Sequence, residues 1–125
     1  MSVLLDTSVV IDILRAFPPA LAYARNLTEP PVCSEVTRVE ILQGVRHGEE
    51  IRTERMFQTL RWVALDEPIA RRAGDMGRLY RGSHSGVGTS DLIIAATAQE
   101  QGLALATGNV KHFPMFPGLK APYGL

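Results

Sequence analysis

Four residues with oxygen-bearing side chains carry the chemistry of this chain: Asp6, Glu40, Asp91 and Asn109. A group of carboxylates with no interleaved His or Cys suits a hard divalent cation, Mg²⁺ or Mn²⁺, bound through oxygen. Several acids gathered in one place repel one another unless a cation neutralises them. The matching chemistry is metal-assisted hydrolysis of a phosphodiester. One ion activates water, and a second, if present, stabilises the leaving oxygen. Each acid also has an ordinary structural role open to it. Asp6 could cap a helix, Asp91 could complement a helix dipole from the first turn, and Glu40 could be a solvated helix residue.

Their placement depends on the elements around them. Ser2-Val3-Leu4-Leu5 is an apolar run ending at Asp6-Thr7-Ser8, which reads as a buried strand. Thr7 or Ser8 can cap a helix from Val9 to Arg15, and Pro18-Pro19 opens a second helix reaching about Leu27. Val32-Cys33 is a second strand. Ser34 caps a helix in which Val36, Val39 and Leu42 recur at helical spacing, and Gly44 or Gly48 ends it. A charged helix is predicted from Glu49 to Leu60, and a third strand at Trp62-Val63-Ala64-Leu65. Asp66 then caps a helix that runs from Ile69 to Arg81. Thr89 or Ser90 caps the helix Asp91 to Gln101, which Gly102 terminates. Leu103-Ala104-Leu105-Ala106 is a fourth strand, and Lys120–Tyr123 is a candidate fifth.

Strands alternating with helices imply a three-layer α/β/α domain whose central parallel sheet of four or five strands is covered on both faces. One such domain accounts for the whole chain, residues 1–125. In open sheets of this kind the functional crevice lies beyond the carboxyl ends of the strands, where the strand order reverses. With a 3-2-1-4 order the first and fourth strands are neighbours. Asp6 and Asn109 then face each other across the crevice, with Asp91 and Glu40 reaching the same edge. Asp66 is left as a cap, Asp75 as surface, and Asp12 undecided.

Composition narrows the setting. The chain is 46% hydrophobic and 21% charged, a globular balance. No apolar run approaches the roughly 20 residues that cross a bilayer, so no membrane role is expected. The early acid at Asp6 argues against a signal peptide, and the lone Cys33 fits a reducing cytoplasm. The net charge is zero, yet most of the basic residues are arginine, the side chain suited to bidentate phosphate contacts.

Four blocks resemble the PIN-domain family, and within it the VapC-type toxins of VapBC toxin–antitoxin pairs. Val3-Leu4-Leu5-Asp6-Thr7-Ser8-Val9-Val10-Ile11 resembles the opening strand with its first metal-binding Asp. Residues 34–44, Ser34 to Gly44, resemble the helix that bears the family's Glu, here Glu40. Residues 89–98, Thr89 to Ala98, resemble the helix with the third acid, here Asp91. Residues 103–113, Leu103 to Phe113, resemble the closing strand and its Thr-x-Asn/Asp turn.

The resemblance implies a Mg²⁺- or Mn²⁺-dependent endoribonuclease acting as a toxin. It also implies a homodimer, and inhibition by a VapB-like antitoxin whose C-terminal tail enters the active-site groove. Asp6, Glu40 and Asp91 would hold the metal, with Asn109 beside them. Arg71, Arg72, Arg78 and Arg81 fall within one helix and are expected to contact RNA phosphates, with Arg15 and Lys111 as weaker candidates. The chain departs from the family in its closing turn. Family members often carry a fourth acid at the position of Asn109 or of His112, and here neither is acidic. One strongly bound ion, with at most a second weak one, is therefore expected in the RNA-free protein. His47, His84 and His112 are candidate general bases that an oxygen-only site does not require. The alternative function is a catalytically silent PIN-like module that only binds RNA or a partner. A phosphoacceptor signalling domain is disfavoured, because only Asp6 follows the first strand where that chemistry needs a pair of acids.

Overall fold

Apolar residues alternate between two sides along each short strand, and that alternation decides the architecture. In the computed structural model, which describes residues 2–124, β1 (Val3–Leu5), β2 (Val32–Ser34), β3 (Arg61–Val63) and β4 (Ala104–Ala106) form one sheet in the order β3-β2-β1-β4. Every pairing is parallel. Leu4 lies opposite both Val32 and Leu105, so these three share a row and face one side. Successive residues on a strand point oppositely, which sends Leu5, Cys33 and Ala106 to the other side.

Two cores follow. Leu4, Val32 and Leu105 pack with Ile69, Met76, Leu92 and Ile94 from α5 (Glu67–Tyr80) and α6 (Thr89–Gln101). Leu5, Cys33 and Ala106 pack with Val9 and Val10 of α1 (Thr7–Leu14), Ile41 of α3 (Glu35–Gln43) and Phe57 of α4 (Glu50–Gln58). The short α2 (Pro18–Arg25) packs on α1. The expected three-layer α/β/α architecture and the 3-2-1-4 order both hold. No helix among the described residues is long and apolar enough to cross a membrane.

The local expectations hold in part. Ser34 accepts the Val36 N–H at 3.1 Å and Asp66 accepts the Ile69 N–H at 3.1 Å, so both cap their helices. Gly102 ends α6 with a positive φ of 65°, the left-handed conformation that glycine adopts without steric cost. Two other caps are corrected. The residue at the N-cap of α1 is Asp6, which makes no side-chain cap bond, and that at α6 is Gly88. Thr7, Ser8 and Ser90 instead turn their hydroxyls to carboxylates.

Val39 and Leu42 mark α3 as helical but lie on its outer side, 60% and 46% exposed, while Thr37 and Ile41 are buried. Ala64 and Leu65 leave the sheet, because the partner strand β2 gives way to α3 just past Ser34, which pairs with Val63. The candidate fifth strand at 120–123 does not form. Pro122 has no N–H to donate to a ladder, and the Tyr123 hydroxyl is committed to Asp12 Oδ2 at 2.7 Å.

Candidate active site

The parallel pairing of β1 with β4 continues one residue past the strand, where the Asp6 N–H donates to the Ala106 carbonyl at 2.9 Å. Asp6 is thereby fixed at the carboxyl edge and is only 4% exposed. Its Oδ2 accepts from the Ser8 hydroxyl at 2.7 Å and from the buried Thr107 hydroxyl at 2.8 Å. Thr107 Oγ1 also accepts the Asn109 N–H at 2.9 Å, so one threonine orders both the acid and the closing turn.

Glu40 reaches the same edge because it shares the inner face of α3 with Thr37, three residues earlier. The Thr7 hydroxyl donates to Glu40 Oε1 at 2.6 Å, and its oxygen lies 2.9 Å from the buried Thr37 hydroxyl. The Ser90 hydroxyl donates to Glu40 Oε2 at 3.2 Å, tying α3 to the start of α6. One residue on, Asp91 Oδ2 accepts the Gly88 N–H at 2.9 Å. His112 Nδ1 stands 3.3 Å from that same oxygen.

Burial pushes the Asp91 carboxyl above the usual carboxylate range. The Gly88 amide and the nearby His112 pull it back, while the negative charges of Asp6 and Glu40 push it further up. Asp91 therefore feels the charge of the other two expected acids. Even so, among the described residues no three His, Cys, Asp or Glu side chains stand close enough together to enclose an ion as they are. Each acid is engaged with a hydroxyl or amide of its own. Carboxylate, hydroxyl and amide oxygens are the right kind of donors for a hard divalent cation, and a cation would relieve the repulsion that Asp91 feels. The donor set fits such an ion in kind but does not form a ready-made cage.

The remaining candidates divide by position. Asn109 and Lys111 are exposed on the turn after β4. Arg15 lies beside Glu40, in a groove of about 500 Å³ that Arg46 and Arg52 also line. Arg46 and Arg52 were missed in the sequence, since an arginine in the loop after α3 and another in the first turn of α4 have no local signature. Arg78 and Arg81 line a cleft with Thr89 and Leu92, whose lining includes none of the three acids. Arg72 pairs with Glu100, nine residues along α6 from Asp91, a rise of about 13 Å. Arg71 pairs with Glu67 and Arg78 with Asp75 on the α5 surface. The structure does not bring Arg71 and Arg72 to the acid cluster.

His84 Nδ1 lies 2.8 Å from the Ser83 hydroxyl, in a local contact, and His47 is exposed on the loop after α3. Asp12 holds Tyr123 and Asp75 pairs at the surface, so neither belongs to the site. Cys33 is fully buried, and burial pushes its thiol up to about 12, which makes it an inert core residue rather than a nucleophile.

The fold and this edge define a class: an open parallel α/β domain with acidic residues at the carboxyl edge where strand order reverses. A model of the PIN domain matches residues 3–114, and the chain belongs to that family. It is 44% identical over 123 residues to Ribonuclease VapC19 of Mycobacterium tuberculosis, covering 96% of this chain and 98% of that one. It is likewise 44% identical over 126 residues to Ribonuclease VapC10 of the same organism, covering 98% and 94%. A solved chain from a toxin–antitoxin complex of Klebsiella pneumoniae superposes with a TM-score of 0.86 at 29% identity, over 99% of this chain and 100% of that one.

Proposed function

We propose that this chain is a metal-dependent endoribonuclease acting as the toxin of a type II toxin–antitoxin pair. The observation that carries the reading is the hydrogen-bonded convergence of Asp6, Glu40 and the start of α6 that bears Asp91, through Thr107 to Asp6 and through Thr7 and Ser90 to Glu40. The similarity to two proteins named ribonucleases supports RNA as the substrate.

A Mg²⁺ or Mn²⁺ ion bound there would supply Lewis-acid polarisation of the scissile phosphate and a more acidic water. The chain's own part is positioning and charge. Ser8 and Thr107 fix Asp6 Oδ2, Thr7 and Ser90 fix the two oxygens of Glu40, and Gly88 fixes Asp91 Oδ2. Carboxylates held this way lose little further freedom when they take up an ion. Asn109 adds an amide oxygen but no charge.

The solved toxin–antitoxin relative supports a VapB-like antitoxin as partner; that its C-terminal tail enters the active-site groove is part of the proposal. For the homodimer, Val39 and Leu42 offer an outward apolar strip on α3. The test is incubation of the pure protein with total RNA, with and without Mg²⁺ or Mn²⁺, followed by mapping of new ends. New ends that need the cation, and are missing with the Asp91→Asn protein, are the expected result. RNA binding without any cation-dependent cleavage would leave the silent PIN-like module as the function.

A further inference from the structure

Two helices meet beside Glu40 through a buried pair of threonines. Thr7 is the first residue of α1, and Thr37 lies on α3 three residues before Glu40, so Thr37 and Glu40 face the start of α1 together. Thr37 is fully buried, and its hydroxyl oxygen is 2.9 Å from that of Thr7. The Thr7 hydroxyl is in turn 2.6 Å from Glu40 Oε1. These contacts decide where the protons lie. A hydroxyl carries one proton, and Glu40 in the carboxylate form that takes a cation only accepts. Thr7 must commit its proton to Glu40, which leaves Thr37 as the donor between the two hydroxyls.

Other buried threonines on helices satisfy themselves locally. Thr53 of α4 donates to the Glu49 carbonyl at 2.9 Å, and Thr97 of α6 donates to the Ile93 carbonyl at 2.7 Å, each four residues back. Thr37 crosses to a second helix instead.

We propose that Thr37 is a positioning residue for Glu40, acting through Thr7. The inference rests on the metal-dependent reading above and deepens it. The Thr7 side chain can turn among three staggered rotamers, and only one aims its proton at Glu40 Oε1. The Thr37 donor pins the Thr7 oxygen from the far side and so selects that rotamer. It also polarises the Thr7 hydroxyl, which makes it a better donor to the carboxylate. Ser90 holds the other oxygen of Glu40 at the longer distance of 3.2 Å, so the tighter of the two holds is the one that Thr37 backs.

The experiment is Mn²⁺ titration calorimetry on the whole RNA-free protein: wild type, Thr37→Val, Thr37→Ser, Thr7→Val and the Thr7→Val/Thr37→Val double variant. Valine keeps the shape and removes the donor, while serine keeps the donor. Loss of a group that orients a metal ligand costs about 10–100-fold in affinity, so Thr7→Val should fall in that range and Thr37→Val, one bond further out, near 10-fold. Thr37→Ser should bind as wild type does. Because Thr37 acts through Thr7, the double variant should bind no more weakly than Thr7→Val alone. A second readout needs no metal. In chelator, three-bond couplings to the Thr7 methyl carbon should report one rotamer in wild type and Thr37→Ser, and an average over several in Thr37→Val.

Four results would overturn the proposal: wild-type Mn²⁺ affinity in Thr37→Val, a Thr37→Ser protein as weak as Thr37→Val, losses that add in the double variant, or a Thr7 rotamer that Thr37→Val leaves fixed. Should the valine protein not fold, the couplings in wild type still decide, since a Thr7 already averaged there is not pinned by Thr37. The nuclease reading fails separately, if wild type binds Mn²⁺ yet cuts no RNA.

Discussion

Thr107, at the end of β4, donates to Asp6 Oδ2 at 2.8 Å across 101 residues of sequence. It also accepts the Asn109 N–H at 2.9 Å, so a single buried hydroxyl sets the position of the first acid and of the turn that closes the site. Replacing Thr107 by Val keeps the shape and removes both interactions. It leaves a buried carboxylate oxygen with one donor fewer and the Asn109 N–H without its acceptor. A loss of about 1–3 kcal/mol is expected in chemical denaturation. RNA cleavage should fall more than that stability loss explains, because Asp6 is free to turn away. A Thr107→Val protein with wild-type cleavage would show that Asp6 needs no such anchor.

Asp91 is the acid on which the others act. Burial first, then the charges of Asp6 and Glu40, raise its carboxyl above its ordinary value. A carboxylate whose folded pKa is raised stabilises the fold only when protonated, and that contribution is lost as pH rises through the folded value. Above that folded value and without cation, the ionised Asp91 is therefore a strain on the fold. Asp91→Asn should abolish cleavage yet leave the metal-free melting temperature at neutral pH equal or higher. Asp6→Asn should bring the Asp91 carboxyl back down, as followed by carboxyl NMR. Cleavage by either amide variant at the wild-type rate would remove these acids from the chemistry.

His112 works in the opposite sense on the same group. Its Nδ1 is 3.3 Å from Asp91 Oδ2, and a proton on the ring lowers the Asp91 carboxyl. Gly86 sits against the ring: a Cβ there would come within 3.3 Å of His112 Cδ2. His112→Ala should therefore raise the Asp91 titration further, so that Mn²⁺ binding weakens first at the acid end of the pH range. Gly86→Ala, which must displace the ring by a few tenths of an ångström, should shift it in the same direction by less. An Asp91 titration that His112→Ala leaves in place would limit His112 to a packing role.

Much of this was legible in the sequence, for definable reasons. Apolar runs ending at Asp6 and Ala106 reveal strands, and alternation with helices forces a parallel sheet. The parallel sheet places Asp6 and Asn109 at one edge. What local pattern could not reveal is which polar groups meet across long stretches of chain. Thr7, Ser8 and Ser90 all sit where helix caps belong, and their hydroxyls hold Asp6 and Glu40 instead. The spacing of Val36, Val39 and Leu42 announces a helix without saying that Val39 and Leu42 lie on its outer side, because its buried face carries Thr37 and Ile41, with Glu40 turned to the site. The arginines on and just after α5 are conspicuous in sequence because Arg71, Arg72, Arg78 and Arg81 fall close together. Those of the groove are dispersed over α1, the loop after α3 and α4, and only tertiary packing assembles them.

Asn109 bears on how much metal the site holds. Its backbone N–H is fixed by Thr107, while its exposed side chain makes no hydrogen bond among the described residues and is free to turn toward an ion. Three carboxylates bring three negative charges, and two divalent ions bring four positive ones. A second ion should therefore bind weakly until an RNA phosphate adds further negative charge. Titration calorimetry on the RNA-free protein should find one Mn²⁺ site, or one strong and one weak. Asn109→Asp supplies the missing charge at a backbone position already fixed. It should tighten the weaker site and lower the Mg²⁺ concentration needed for half-maximal cleavage, and chelator should reverse both effects. Two equally tight ions in wild type, or no gain from Asn109→Asp, would show that charge at this turn does not set the metal count.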